Sequence, residues 1–68
     1  MKTVNQRLAM KLKQCRKARG LTQGKLAAKV GLSLGYVARL EIGMHDPPLS
    51  TLTKLAKALG VPVAKLLQ

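Results

Sequence analysis

Residues 22–42 read TQGKLAAKVGLSLGYVARLEI, and this stretch predicts two short helices joined by a tight turn. Thr22 and Ser33 each suit the start of a helix, because a hydroxyl oxygen can accept a hydrogen bond from a backbone N–H of the first turn. Gly31 stands between them, where a helix can end in the left-handed conformation that glycine adopts without strain. Two helices joined in this way form a helix-turn-helix, whose second helix can enter a DNA major groove.

The apolar residues of this stretch recur at helical spacing and predict which faces are buried. Leu26, Ala27 and Val30 share one face of the first helix, and Val37 and Leu40 share one face of the second. The opposite face of the second helix is therefore expected to remain open.

At this point the chain resembles the lambda/Cro-type (XRE-type) helix-turn-helix repressors. The family has a small residue where the helices cross and a glycine in the turn, as Ala27 and Gly31 supply here. The resemblance continues from about Leu8 to Leu67. Its further elements are the E-x-G-x-x-x-P pattern at Glu41, Gly43 and Pro47 and the closing segment LTKLAKALGVPVAKLL at residues 52–67.

The resemblance implies an all-α fold, a compact five-helix lambda-repressor-like DNA-binding domain with a central helix-turn-helix. A chain of 68 residues has room for one domain, so we assign residues 1–68 to a single unit. Asp46 is expected to cap the fourth helix, and Leu67 to pack on the core. The predicted helices begin at residue 4 or 5, at 23, at 34, at 48 or 49 and at 61, and they end at residues 19, 30, 42, 59 and 67 respectively.

The charge balance is strongly positive, with 13 Lys and Arg against two acids and a net charge of +11. Such a balance predicts attraction to a polyanion. No apolar run approaches 18 residues, so no membrane span is expected. The basic first residues lack the apolar stretch of a signal peptide, and we therefore expect a cytoplasmic, nucleoid-associated protein if the chain is natural.

One of the two acids lies at the end of the predicted recognition helix, where an exposed carboxylate would repel phosphate. The family resemblance implies that this residue, Glu41, forms a structural ion pair with Arg16 of the first helix. Such a pair would join the first helix to the end of the third.

Arg39 is the strongest candidate for reading a base, because it lies away from the apolar stripe and a guanidinium can donate two bonds to guanine O6 and N7. A solvated arginine or a phosphate contact is the alternative. The family reads bases from the positions of Leu34, Gly35 and Arg39. Leucine can contact a thymine methyl, or Leu34 can instead staple the turn. The predicted base contacts are Ser33, Leu34, Gly35, Ala38 and Arg39.

The predicted backbone contacts surround the recognition helix. Gln23 stands at a helix N-terminus, where free N–H groups attract phosphate, and the resemblance implies that it anchors the sugar-phosphate backbone. Tyr36 can either donate to a phosphate or pack its ring where the helices cross. The predicted phosphate contacts are Thr22, Gln23, Gly24, Lys25, Lys29, Tyr36, Met44 and His45.

The sequence contains few side chains that could act in catalysis, since the chain has one His, one Cys and two acids. No metal-ligand cluster, nucleophile–base set or phosphate-cradling glycine loop is recognisable. We expect no enzymatic activity, cofactor, metal site or small-molecule ligand.

The sequence thus predicts specific binding of double-stranded DNA, and the resemblance implies a transcriptional regulator that binds a palindromic site as a homodimer. Leu34 and Gly35 on the reading face and the scarcity of acids are unusual for the family. They are compatible with an engineered DNA binder on this scaffold that acts as a monomer. An antitoxin-like interaction module and a cationic membrane-surface protein are alternatives of another class, and RNA binding is less favoured without stacking aromatic residues.

Overall fold

The computed structural model describes residues 4–68, which form five α-helices and contain no strand. The all-α prediction is confirmed. The helices are α1 (Val4–Ala18), α2 (Gln23–Val30), α3 (Leu34–Leu40), α4 (Leu49–Leu59) and α5 (Val63–Leu67).

The turn between α2 and α3 is built from the local interactions that the sequence predicts. Thr22 Oγ1 accepts a hydrogen bond from the backbone N–H of Lys25 at 3.1 Å, and Ser33 Oγ accepts one from Tyr36 at 3.1 Å. Gly31 has a φ of 70°, the left-handed conformation that side chains disfavour. Its N–H and that of the following residue close α2 on the last helical carbonyls.

The helices bury one leucine-rich core. α2 packs against both α3 and α4, while α5 packs against α1 and α4. Fully burying one such side chain stabilises the fold by about 1.5–3 kcal/mol. Ala27, on α2, is also buried. The largest fully buried side chains are Leu12, Leu26, Leu40, Leu55, Leu59, Leu66 and Val37.

Helix α3 ends at Leu40, two residues earlier than the predicted Ile42. The chain leaves the helix through a turn at residues 41–43, in which Gly43 has a φ of 79° and donates its N–H to the carbonyl of Leu40. Ile42 lies outside the helix and is 67% exposed.

Three predictions around α4 and α5 were wrong. The N-cap of α4 is Pro48, which makes no side-chain cap hydrogen bond, and Asp46 stands too far before the first turn to serve. α5 begins at Val63 rather than at residue 61, because Pro62 occupies its N-cap. Leu67 is 51% exposed, since its neighbour Leu66 takes the buried position and adjacent helical residues point in different directions.

Candidate nucleic-acid interface

The α3 helix presents one side to the core and the other to solvent. Val37 and Leu40 are buried with almost no accessible surface, whereas Leu34 is 56% exposed. Gly35 and Arg39 lie on the exposed side as well. The remaining predicted base contacts flank this surface, with Ser33 exposed at the N-cap and Ala38 half-buried. The geometry therefore brings the predicted reading residues together on one open face.

The Arg39 side chain has a defined position on that face. Its Nε donates a hydrogen bond to Nε2 of His45 at 3.0 Å. A Cβ atom built on Gly35 would lie 3.1 Å from Arg39 Nη1. The guanidinium thus lies back over the first turn of α3, against the position four residues earlier.

His45 lies in the loop that follows α3 and contacts residues of that helix. Its ring stacks on Tyr36 with the ring centroids 4.9 Å apart and the planes 27° apart. Tyr36 also packs against the edge of the core. For Tyr36 the sequence left phosphate contact and packing open, and the structure adds a stacking role that spacing along the chain did not indicate.

The ion pair between Arg16 and Glu41 is present and buried. Arg16 Nε lies 2.6 Å from Glu41 Oε2, and Arg16 Nη2 donates to Oε1 at 3.0 Å. Arg16 Nη1 also donates to the carbonyl of Leu21 at 2.7 Å. The carboxylate is turned inward, so it does not oppose a phosphate beside α3.

Gln23 takes part in the same network, which sequence reasoning missed. Its Nε2 donates to Glu41 Oε1 at 3.1 Å, so one carboxylate links α1, the start of α2 and the turn after α3. An amide nitrogen carries two hydrogens, and the second can still reach a phosphate. Gln23 as a whole residue is half-buried.

The backbone at the start of α2 is open to close approach. The nearest atom to a Cβ placed on Gly24 would be Thr22 Oγ1 at 4.0 Å. Lys25 is exposed on the same turn, and Met44 is 63% exposed in the loop after α3. A negatively charged strand could therefore reach the α2 backbone without a steric obstacle from Gly24.

Three lysines lie together at the junction of α2 and α4. Lys29, predicted to meet phosphate, lines a cleft of about 410 Å³ between these helices together with the exposed Lys54 and Lys57. The floor of this cleft is apolar, formed by Val30 and Ala58. Positive charge thus extends from α2 onto α4.

The part of the chain that spans residues 4–68 contains no group of three or more His, Cys, Asp or Glu residues that could hold a metal ion. None of its helices combines the length and hydropathy needed to cross a membrane. Cys15 is buried in the core as a free thiol.

Comparison with known proteins extends the geometric findings. The family model HTH_3, described as helix-turn-helix, matches residues 12–66. The immunity repressor protein of Bacillus phage phi105 is 47% identical over 62 residues, which cover 91% of this chain and 40% of the phage protein. The chain therefore spans less than half the length of that relative.

Two solved structures share the fold closely. The restriction-modification controller protein C.AhdI from Aeromonas hydrophila superposes with a TM-score of 0.88 at 34% identity, covering 91% of this chain and 94% of that one. The clp gene regulator ClgR from C. glutamicum gives a TM-score of 0.92 at 30% identity, covering 98% and 87%. The likeness thus includes all the elements that support the open face of α3.

Proposed function

Because this chain belongs to the helix-turn-helix family HTH_3, we propose that it recognises a specific double-stranded DNA sequence by placing α3 in the major groove. The resemblance to XRE-type repressors is confirmed by this membership. Its relatives are named as repressors and transcriptional regulators, a class of DNA-binding protein rather than of enzyme.

The observation that carries the proposal is the position of Arg39. Its side chain is exposed on the face of α3 opposite the buried Val37 and Leu40, and it extends toward the N-terminal turn. In a helix-turn-helix it is the N-terminal part of the recognition helix that meets base edges. Arg39 is therefore assigned to guanine, whose O6 and N7 accept two hydrogen bonds.

The rest of the open face offers little hydrogen bonding to bases. Leu34 is exposed and suited to contact a thymine methyl, while Gly35 and Ala38 present no polar side-chain group. Ser33 Oγ already accepts from the backbone as a cap, although its hydroxyl proton can be donated. We expect sequence preference to depend mainly on Arg39, with Leu34 adding a preference for thymine.

Backbone contacts would fix the register of α3 without reading sequence. The start of α2 is the principal anchor, because it combines the helix N-terminus with an approachable Gly24 and the second amide hydrogen of Gln23. The exposed lysines of α2 add charge. The proposed phosphate contacts are Thr22, Gln23, Gly24, Lys25, Lys29, Tyr36 and Met44.

The regulatory context follows from the relatives. We infer that the chain provides the DNA-binding domain of a transcriptional regulator that acts on bacterial or phage DNA in the cytoplasm. A homodimer on a palindromic site is the expected arrangement, because a single small module buries limited DNA surface and binds modestly. A membrane-surface role is disfavoured, since the apolar faces of the five helices pack into one core.

A binding titration tests this proposal. We expect the protein to bind a duplex with a log K that falls against log salt with a slope near −4 to −5 for each protomer bound, as about 4–6 neutralised phosphates per protomer predict. Anionic phospholipid vesicles at the same salt concentration provide the comparison. Binding to vesicles that exceeds binding to duplex at moderate salt would refute the proposal.

A further inference from the structure

The contacts of Arg39 suggest that its pose is set by other residues before DNA arrives. Three observations bear on this pose: the hydrogen bond from Arg39 Nε to His45, the stack of His45 on Tyr36, and the close approach of Nη1 to Gly35. We propose that His45, together with Gly35, is a positioning residue that holds the Arg39 guanidinium so that its two Nη groups are the donors offered to guanine. This inference rests on the proposed function.

Gly35 creates the space that the guanidinium occupies. Residues four apart lie on the same face of a helix, and helical side chains lean toward the N-terminus, so Arg39 naturally reaches back over Gly35. A Cβ at Gly35 would lie 3.1 Å from Nη1 and 3.8 Å from both Cζ and Nη2. Any larger residue would push the guanidinium away from the helix axis. The glycine thus contributes to recognition indirectly, although it has no side chain to read a base.

His45 decides which donors of Arg39 remain available. A guanidinium has five N–H groups, of which one is on Nε and four are on the two Nη atoms. Because Nε donates to His45, the edge formed by Nε and one Nη is engaged, and the pair of Nη atoms is the bidentate edge left for O6 and N7. Holding the side chain in this pose also reduces the rotational freedom that it loses on binding.

The position of His45 is itself determined by its neighbours. The ring stacks on Tyr36. His45 comes two residues after the turn at Gly43, beyond which the chain lies against α3. Accepting a bond through Nε2 requires the neutral ring with its proton on Nδ1.

Two substitutions at position 45 separate positioning from phosphate contact, which the sequence had predicted for His45. His45→Phe keeps a ring to stack on Tyr36 but removes the acceptor, whereas His45→Gln supplies an amide oxygen that can accept from Nε. The measurement is the ratio of two affinities. One is for a selected duplex, and the other is for the same duplex in which the guanine-containing base pair assigned to Arg39 is replaced by another base pair. We expect the ratio to fall about threefold to tenfold in His45→Phe, as losing one orienting hydrogen bond predicts, and His45→Gln to restore it.

An equal loss on both duplexes in His45→Phe would assign His45 to phosphate and overturn the inference. Arg39→Ala serves as the reference. If Arg39→Ala abolishes the preference while His45→Phe retains it, positioning by His45 is wrong and the proposed function stands. If Arg39→Ala leaves the preference intact, base reading by Arg39 fails and with it the proposed function.

A measurement without DNA tests the pose directly. In ¹⁵N NMR spectra of the free protein, we expect a resolved, slowly exchanging Arg39 Nε–H in the wild type that becomes averaged with exposed arginines in His45→Phe. Gly35→Ala should shift the same signal. An Arg39 Nε–H signal that is the same in the wild type, His45→Phe and Gly35→Ala would overturn the inference.

Discussion

Arg16 Nε lies 2.6 Å from Glu41 Oε2, and this contact joins the last part of α1 to the residue that follows α3. Both side chains are buried, with 8% of Arg16 and 7% of Glu41 exposed. The carboxylate also accepts from Gln23, and the guanidinium also donates to the carbonyl of Leu21. The network therefore holds the end of the recognition helix against two other parts of the fold.

Removing Arg16 should destabilise the protein strongly. In Arg16→Met the Glu41 carboxylate stays buried, and of the two side chains that donate to it in this network only Gln23 remains. Breaking a buried ion pair in this way costs about 3–5 kcal/mol of unfolding free energy. Urea unfolding followed by circular dichroism measures the loss. Arg7→Met is the matched control on the same helix, where the arginine is exposed and a change within about 0.5 kcal/mol is expected.

A second variant separates the ion pair from other effects of Arg16. The double substitution Arg16→Met with Glu41→Leu should recover much of the stability lost by Arg16→Met, since it leaves no buried charge without a partner. Equal unfolding free energies for Arg16→Met and the wild type would show that the pair does not support α3.

Alanine substitutions of two glycines at opposite ends of α2 should change the unfolding free energy in opposite directions. Gly31 has a φ of 70°, so Gly31→Ala should cost about 1–2 kcal/mol of unfolding free energy. Gly24 lies within the helix with open space around it, so Gly24→Ala should gain about 0.4–1 kcal/mol. Thermal unfolding compares the two variants, and shifts of the same sign in both would contradict the backbone assignment.

The Gly24 variant also tests the proposed anchor at the start of α2. If the backbone there touches a phosphate, the added methyl group obstructs the approach. Gly24→Ala should then bind every duplex more weakly although the folded protein is more stable. Unchanged affinity for DNA would remove Gly24 from the interface.

Lys29 is expected to contribute charge without sequence information. Lys29→Ala should weaken binding to selected and scrambled duplexes alike, and it should reduce the magnitude of the salt slope by about 0.9 if one phosphate contact is lost. Lys13→Ala is the control, because Lys13 is exposed on α1 and is not among the proposed DNA contacts. A loss of affinity confined to the selected duplex would mean that Lys29 contacts a base instead.

Much of the fold could be predicted because its signals are local. The caps at Thr22 and Ser33 and the left-handed Gly31 depend on neighbouring residues, and the spacing of apolar residues indicates the buried faces of α2 and α3. The ion pair of Arg16 with Glu41 has a different origin. Its partners are 25 residues apart, and it was expected from family resemblance rather than from spacing.

The contacts that were missed depend on how the loop after α3 folds back. The bond from Arg39 to His45 and the stack of His45 on Tyr36 require the turn at Gly43, and helical periodicity says nothing about a loop. Gln23 was assigned from its place at the start of α2, and its distance from Glu41 becomes apparent only when the helices are packed. Local patterns therefore predicted the scaffold better than the orientation of its polar side chains.

Selection of bound sequences from random duplex DNA, with the wild type and Arg39→Ala in parallel, tests base reading by α3 most directly. A motif with two-fold symmetry would indicate a dimer, and a short asymmetric motif a monomer. We expect the wild type to select a motif that contains a guanine pair, and Arg39→Ala to lose preference at that one pair, at a cost of about 1–3 kcal/mol. Recovery of the same motif by both proteins, or of none by the wild type, would contradict sequence reading by Arg39.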